Sequence, residues 1–264
     1  MTVSFNNVCV VGCGAIGGWI GAGLARAGCT VNVFARGATL NALQTHGLRL
    51  GDEQHPVNAS DDASALGVHD LVVVAVKAPA LNGVVRQIAP LIGPHTAVLT
   101  AMNGVPWWFF QGFGGPLEGT QLQAVDASGE IAATIPAAQV IGCVVHASCS
   151  VDAPGVINHH FGNGLILGEP SGRESARVQA LAALLTKAGF AASVSPQIQK
   201  DVWYKLWGNM TVNPISALTG ATTDLILEDE LVRNFVSTVM LEAKEIGARI
   251  GIPIEQQPSD RHQV

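Results

Sequence analysis

Lys205, Asn209 and Asn213 stand four residues apart within Asp201-Val-Trp-Tyr-Lys-Leu-Trp-Gly-Asn-Met-Thr-Val-Asn-Pro214. On a helix this spacing lines an amine and two carboxamides along one face. An amine so placed can polarise a ketone and supply its proton as a hydride arrives, and the amides can hold a substrate hydroxyl or carboxylate. A surface ion pair with Asp201, which lies in the favourable N-terminal position, would explain the lysine alone. It would leave unexplained the two asparagines and the core-like positions of Trp203, Trp207 and Met210 beside them. Asn213 precedes Pro214, which disfavours helical geometry and predicts a kink or break presenting that amide.

A hydride needs a donor, and the N-terminus holds the residues to bind one. Val8 to Val11 reads as a buried strand running into Gly12-Cys13-Gly14-Ala15-Ile16-Gly17. This Gly-x-Gly-x-x-Gly turn suits a dinucleotide pyrophosphate: Gly12 for the tight turn, Gly14 for close approach of the backbone, Gly17 for packing of the next helix on the strand. The helix from Ile16 to Ala27 directs its N-terminal amides and dipole at the bound anion. A second strand, Thr30 to Ala35, completes the βαβ unit and ends at Arg36. A carboxylate at about this distance, ~20 residues on, takes the ribose hydroxyls of NAD, whereas an arginine suits a 2′-phosphate, so the expected cofactor is NADPH. Elsewhere such an arginine would read as a solvated loop residue.

These residues require a particular scaffold. Ala38 to Thr45 reads as helix, and Leu48 to Val57 as a short hairpin turning at Gly51-Asp52. Leu71 to Val76 is a β-branched run ending at Lys77, as expected of a parallel strand covered on both faces. A helix from Ala80 to Leu91 and a strand from Ala97 to Ala101 lead to Asn103-Gly104. Alternating strands and helices predict an open parallel sheet whose ligands lie beyond the strands' carboxyl ends, where Gly12, Arg36, Lys77 and Asn103 all fall. Lys77 also reads as a strand-end lysine reaching for water, and Asn103-Gly104 as plain turn chemistry. Val140 to Val151, Val156 to His160 and Gly164 to Leu167 read as antiparallel additions to the first domain. Glu169-Pro-Ser-Gly172 is the linker candidate, followed by an amphipathic helix from Arg173 to Ala188, a short extended piece from Ala191 to Val194, and then mostly helix. The fold class is therefore α/β: an N-terminal Rossmann-type doubly wound sheet (residues 1–169) with a smaller C-terminal all-helical domain (170–264).

Composition narrows the partners. With 13% charged residues and a net charge of −6, the chain is a poor candidate for nucleic-acid binding. Cys9, Cys13, Cys29, Cys143 and Cys149 are odd in number and lack the spacing of a zinc site or disulfide framework, so they read as reduced thiols in a cytoplasmic protein. The uncharged stretch Val8 to Ala25 approaches the ~18 apolar residues of a membrane span. No basic residue precedes it and glycines in the fingerprint pattern interrupt it, so no membrane is expected. Trp107-Trp108-Phe109-Phe110 reads as core or as the interface of a homodimer, with the shaping of an apolar pocket as the alternative. His159-His160, with His146 nearby, invites a metal, but neighbours on a strand point to opposite faces, so no metal is expected. Cys13 lies in the pyrophosphate turn and reads as a buried inert thiol.

Gly12 to Gly17 with Arg36, Val76-Lys77-Ala78, Asn103-Gly104-Val105 and Lys205-x3-Asn209-x3-Asn213-Pro214 together resemble the ketopantoate reductases across nearly the whole chain. The resemblance implies NADPH-dependent reduction of 2-dehydropantoate, a small 2-oxo acid, to pantoate on the way to pantothenate and coenzyme A. It further implies that Lys205 is the general acid, that Asn209 positions the substrate, and that Asn103 lies at nicotinamide and substrate. Arg36 and Lys77 would contact the cofactor, and the active site would lie between a Rossmann and a helical domain. Family members continue beyond the segment resembling Gly251 to Val264 into a helix whose serine and glutamate hold the substrate. Glu255 and Ser259 do not match those positions, so the chain is either a shortened form or a divergent member with altered turnover. Alternatives are reduction of another 2-oxo acid or a lactone, a related two-domain dehydrogenase of a hydroxy acid, opine or glycerol phosphate, and a non-catalytic NADPH-binding sensor.

Overall fold

The computed structural model describes residues 3–261. In chain order the elements are β1 (Asn7–Val11), α1 (Ala15–Arg26), β2 (Thr30–Phe34), α2 (Gly37–His46), β3 (Leu48–Leu50), β4 (Glu53–His55), β5 (Asn58–Ser60), α3 (Ala63–Leu66) and β6 (Leu71–Val74). They continue with α4 (Ala78–Leu81), α5 (Val85–Ile88), β7 (Ala97–Thr100), α6 (Glu130–Thr134), β8 (Val140–Ala153), β9 (Val156–Gly168), α7 (Ala176–Lys187) and β10 (Ala191–Val194). Helices α8 (Ile198–Thr219), α9 (Thr223–Glu228), α10 (Glu230–Arg249) and α11 (Pro258–Arg261) complete the described chain. Contacts divide it into two units, one through Ile198 and one from Gln199 on.

The first unit is built on a sheet whose parallel part has the order β5-β2-β1-β6-β7-β8. This is the doubly wound order in which connections run one way from β1 to β2 and β5, then the other way to β6, β7 and β8. The switch falls between β1 and β6, where such sheets bind ligands. Strands β1, β6 and β7 are almost wholly apolar and buried because helices cover both faces. Strand β9 pairs antiparallel with β8, and the β3–β4 hairpin joins through Arg49 opposite Val156. The sheet thereby curls over α1: a Cβ on Gly18 would meet Ile157 Cγ1 at 2.5 Å. Trp107, Trp108, Phe109 and Phe110 are all buried, so the aromatic run is core.

Three local expectations are corrected. The span from Ala80 to Leu91 is not one helix: α4 gives out at Asn82-Gly83, and a short α5 is followed by a 3-10 turn at Pro90. The separate strands at Val156 to His160 and Gly164 to Leu167 are one strand, β9, which passes through Gly162 at φ +73° with irregular pairing to β8. The unit boundary lies after Ile198 rather than after Glu169. Strand β10 pairs with β9, placing Ala191 opposite Gly164, and Leu181 and Leu185 of α7 join the first core. Glu169, in the expected linker, is buried and bound by Arg177 and Ser175.

The second unit is all helical. Its core is Trp207, Val236, Met240, Ala243 and Ile254, with Trp203 and Met210 packed against it. Helix α10 starts at an Asp229 cap whose carboxylate accepts from the Leu231 and Val232 amides. Helix α8 runs on through Pro214, so of the expected kink or break there is no break. The proline forfeits one backbone bond, but Met210 and Ile215 on either side remain packed on the core. No helix among the described residues is long and apolar enough to cross a membrane.

Candidate active site

Strand β1 ends in the glycine turn. Gly12 has φ +90°, and a Cβ there would lie 2.6 Å from Val76 Cγ1 and 2.9 Å from its amide nitrogen, so the turn closes against the end of β6. A Cβ on Gly17 would overlap the Gly12 carbonyl and come within 3.0 Å of Ala75 Cβ, which is how α1 packs so near the strand. A Cβ on Gly14, by contrast, would meet nothing within 4 Å, so that side of its backbone faces open space. Gly14 is also the N-cap of α1, where no side chain caps the amides and no acidic residue occupies the first turn. An uncapped, unopposed helix N-terminus beside open space can receive an anion.

Two hollows meet over this turn, sharing Gly12, Gly14, Val76 and Ala80. One, of about 430 Å³, is lined by Cys13, Phe34, Arg36, Thr39 and Val151; the other, of about 670 Å³, by Ala15, Ile16, Lys77, Met102 and Asn103. The groove thus gathers every cofactor residue expected from the sequence except Gly17, which lies beneath it. Arg36 is exposed at the N-cap of α2, and its guanidinium has no hydrogen-bond or ion-pair partner among the described residues. Lys77 is exposed at the N-cap of α4, and Asn103 is exposed before Gly104, whose φ is +90°. Burial pushes the Cys13 thiol up to about 12, so it is uncharged at neutral pH.

Sequence reasoning missed Phe34, Thr39 and Val151 as groove residues. Phe34 ends β2 two residues before Arg36 and could have been inferred from that position. Val151 carries no local signal, because it reaches the groove only through the β8–β9 hairpin.

In the second unit, Trp207 Nε1 donates to the Met240 carbonyl at 2.7 Å and Trp203 Nε1 to that of Ala243 at 3.3 Å. These bonds fix the rotation of α8 against α10. Lys205, Asn209 and Asn213 then lie on a different face, offset from the tryptophans by about half a turn at 3.6 residues per turn. Lys205 and Asn209 are half-buried and Asn213 is exposed. Asn209 and Asn213 line a hollow of about 240 Å³ with Gly208, Thr223, Leu227 and Arg261. Lys205 stands on the same face, one turn before Asn209, outside the lining of that hollow. Arg261, not singled out in the sequence, places its guanidinium over the Tyr204 ring, 5.2 Å from the centroid.

The histidines have other work. His159 stacks on Trp19 with centroids 5.6 Å apart, and His160 Nε2 bonds Ser150 Oγ at 3.0 Å. Among the described residues no group of His, Cys, Asp and Glu could hold a metal.

Comparison with known proteins finds two family models that match this chain. The model described as ketopantoate reductase PanE/ApbA matches residues 8–172, and that of its C-terminal region matches 197–263. A curated 2-dehydropantoate 2-reductase of Mesorhizobium japonicum is 51% identical over 251 residues, covering 93% of this chain and 77% of that protein. A crystal structure from Ralstonia solanacearum, described as a candidate ketopantoate reductase, is 57% identical with a TM-score of 0.96, covering 98% of this chain and 82% of the other. The structure of 2-dehydropantoate 2-reductase from Methylococcus capsulatus, 27% identical, gives a TM-score of 0.78 over 97% of this chain and 77% of its own.

Proposed function

From its place in the ketopantoate reductase family, to which this chain belongs, we propose that it reduces 2-dehydropantoate to pantoate with NADPH, a step toward pantothenate. The chain is an oxidoreductase, and in this reading the first unit binds the cofactor and the second carries the substrate chemistry. When bound, NADPH supplies the hydride that the C2 carbon of the substrate receives. Gly12 to Gly17 and the α1 N-terminus hold its pyrophosphate, and Arg36 takes the 2′-phosphate. Lys77 adds charge at the same groove, and Asn103 offers an amide to nicotinamide or substrate.

Lys205 donates its proton to the C2 oxygen as the carbon is reduced, and its positive charge stabilises the oxyanion that develops there. Asn209 and Asn213 hold the substrate's oxygens by their amides. The C2 oxygen becomes a neutral hydroxyl, and the lysine regains its proton from water before the next turnover. A cytoplasmic location and a homodimer belong to the same proposal, the latter to be read by light scattering.

The observation that carries the cofactor assignment is the unpartnered Arg36 guanidinium in the groove that also holds the glycine turn. Loss of nicotinamide absorbance on mixing the protein, NADPH and 2-dehydropantoate tests the activity, with NADH as the comparison. Oxidation of NADPH is expected, at an NADPH efficiency well above that with NADH. Tight NADPH binding with no oxidation on any 2-oxo acid would replace this reading with that of a sensor.

A further inference from the structure

The substrate proposed above is an anion at neutral pH, and a second cation beside the general acid would stabilise it. Lys205 is assigned to the C2 oxygen, while the carboxylate beside that oxygen keeps its charge throughout the reaction. A second positive group that stays charged while the first gives up its proton would hold that carboxylate. Arginine suits that role, since its guanidinium remains protonated and its fork matches a carboxylate bidentately.

The hollow lined by Asn209 and Asn213 contains one cationic residue among its lining residues, Arg261. Its guanidinium is held in place by two features of α8. The ring of Tyr204 lies beneath it, at 5.2 Å from the centroid. Gly208, one turn further along, supplies the space: a Cβ there would sit 3.0 Å from Arg261 Cζ and 3.2 Å from Nε, and closer still to Nη2. Among the described residues no carboxylate pairs with Arg261, and the neighbouring Asp260 accepts instead from the Gln257 amide at 2.8 Å. Leu227, Val236 and Met240 give the same hollow an apolar wall suited to a branched carbon skeleton.

We propose that Arg261 binds the carboxylate of the 2-oxo acid, with Gly208 and Tyr204 as the cradle that positions its guanidinium. This inference rests on the reductase reading, and it selects a free acid over its lactone. Calorimetry with the full chain loaded with NADP tests it, using pantoate and pantoyl lactone, the same skeleton without a free carboxylate. The variants are Arg261→Gln, Arg261→Lys and Gly208→Ala. Gly208→Ala retains both charge and fold, since alanine favours a helix interior, but its methyl displaces the guanidinium.

Arg261→Gln is expected to weaken pantoate about tenfold or more, the size of a lost charge-assisted bond pair, while lactone affinity stays unchanged. Arg261→Lys recovers part of the loss, and Gly208→Ala reproduces most of it. In turnover KM rises, while kcat changes much less. Pantoate affinity unchanged in both Arg261→Gln and Gly208→Ala would overturn the inference with the reductase reading intact. Equal loss of acid and lactone would also overturn it, by revealing a structural role. If the wild type binds 2-oxobutanoate but not pantoate, and binding depends on Arg261, the substrate reading fails and the carboxylate assignment stands. A wild type that binds no carboxylate sinks both.

Discussion

Replacing Arg36 tests the cofactor assignment most directly, because the structure isolates its effect. The guanidinium is exposed at the α2 N-cap, makes no capping bond and has no acidic partner among the described residues, so truncation breaks nothing described inside the protein. Any change therefore belongs to the ligand. A guanidinium facing a phosphate makes up to two charge-assisted bonds, each of about 1.5–3 kcal/mol net when shielded. Solvent exposure reduces the pair to roughly 0.5–2 kcal/mol in total. At 1.4 kcal/mol per tenfold, Arg36→Ala should weaken NADPH by about 2- to 30-fold. Arg36→Asp adds repulsion of about 1 kcal/mol at contact distance in a water-like dielectric, a further several-fold loss. The new carboxylate can accept from the ribose hydroxyls, so NADH binding should tighten.

Two controls follow from the same physics. Screening over ~8 Å at physiological salt makes the wild-type affinity for NADPH fall with ionic strength more steeply than that of Arg36→Ala. The 2′-phosphate sheds its second charge as pH drops through ~6, so discrimination against NADH should narrow below that pH. Titrating the fluorescence of the bound nicotinamide reads all of these. Equal weakening of NADPH and NADH in Arg36→Ala would refute the reasoning and show that the 2′-phosphate is recognised elsewhere.

Lys205→Ala should lower turnover by ~100-fold or more, the size of a lost general acid, with NADPH affinity nearly intact; unchanged turnover removes Lys205 from the mechanism. Trp207 is fully buried and bonds the Met240 carbonyl, so Trp207→Ala should cost about 3–5 kcal/mol and lower the melting transition of the second unit. Retained NADPH binding in that variant would confine the damage to the second unit, whereas an unshifted melt would contradict the core assignment. His69 is buried, and burial holds its pKa below the usual value. The unfolded chain therefore takes up a proton that the native ring resists, and stability should fall as pH drops through ~6.5, the ordinary histidine value. In urea titrations His69→Leu should flatten that decline, and parallel curves for the two proteins would rule His69 out as its source.

The chemistry-bearing residues were legible in the sequence because each group is defined over a few neighbours. Gly12, Gly14 and Gly17 announce a turn whose geometry depends on backbone freedom within six residues. Lys205, Asn209 and Asn213 share a face through the helical period alone. The β-branched runs of β1 and β6 show parallel strands buried on both sides. Other features depend on contacts between segments far apart in the chain, and no local pattern encodes those. Val151 enters the groove because the β8–β9 hairpin curls with its sheet, and β10 extends the first unit because it finds an edge of β9 free to pair. Pro214 stays within α8 because Met210 and Ile215 bury against the helical core, outweighing a backbone preference that in isolation predicts a break. Arg261 looks like any arginine until Gly208 and Tyr204 of another helix make room for it. Short-range sterics and periodicity thus determined which residues stand as candidates, and long-range packing decided which of them line a common hollow.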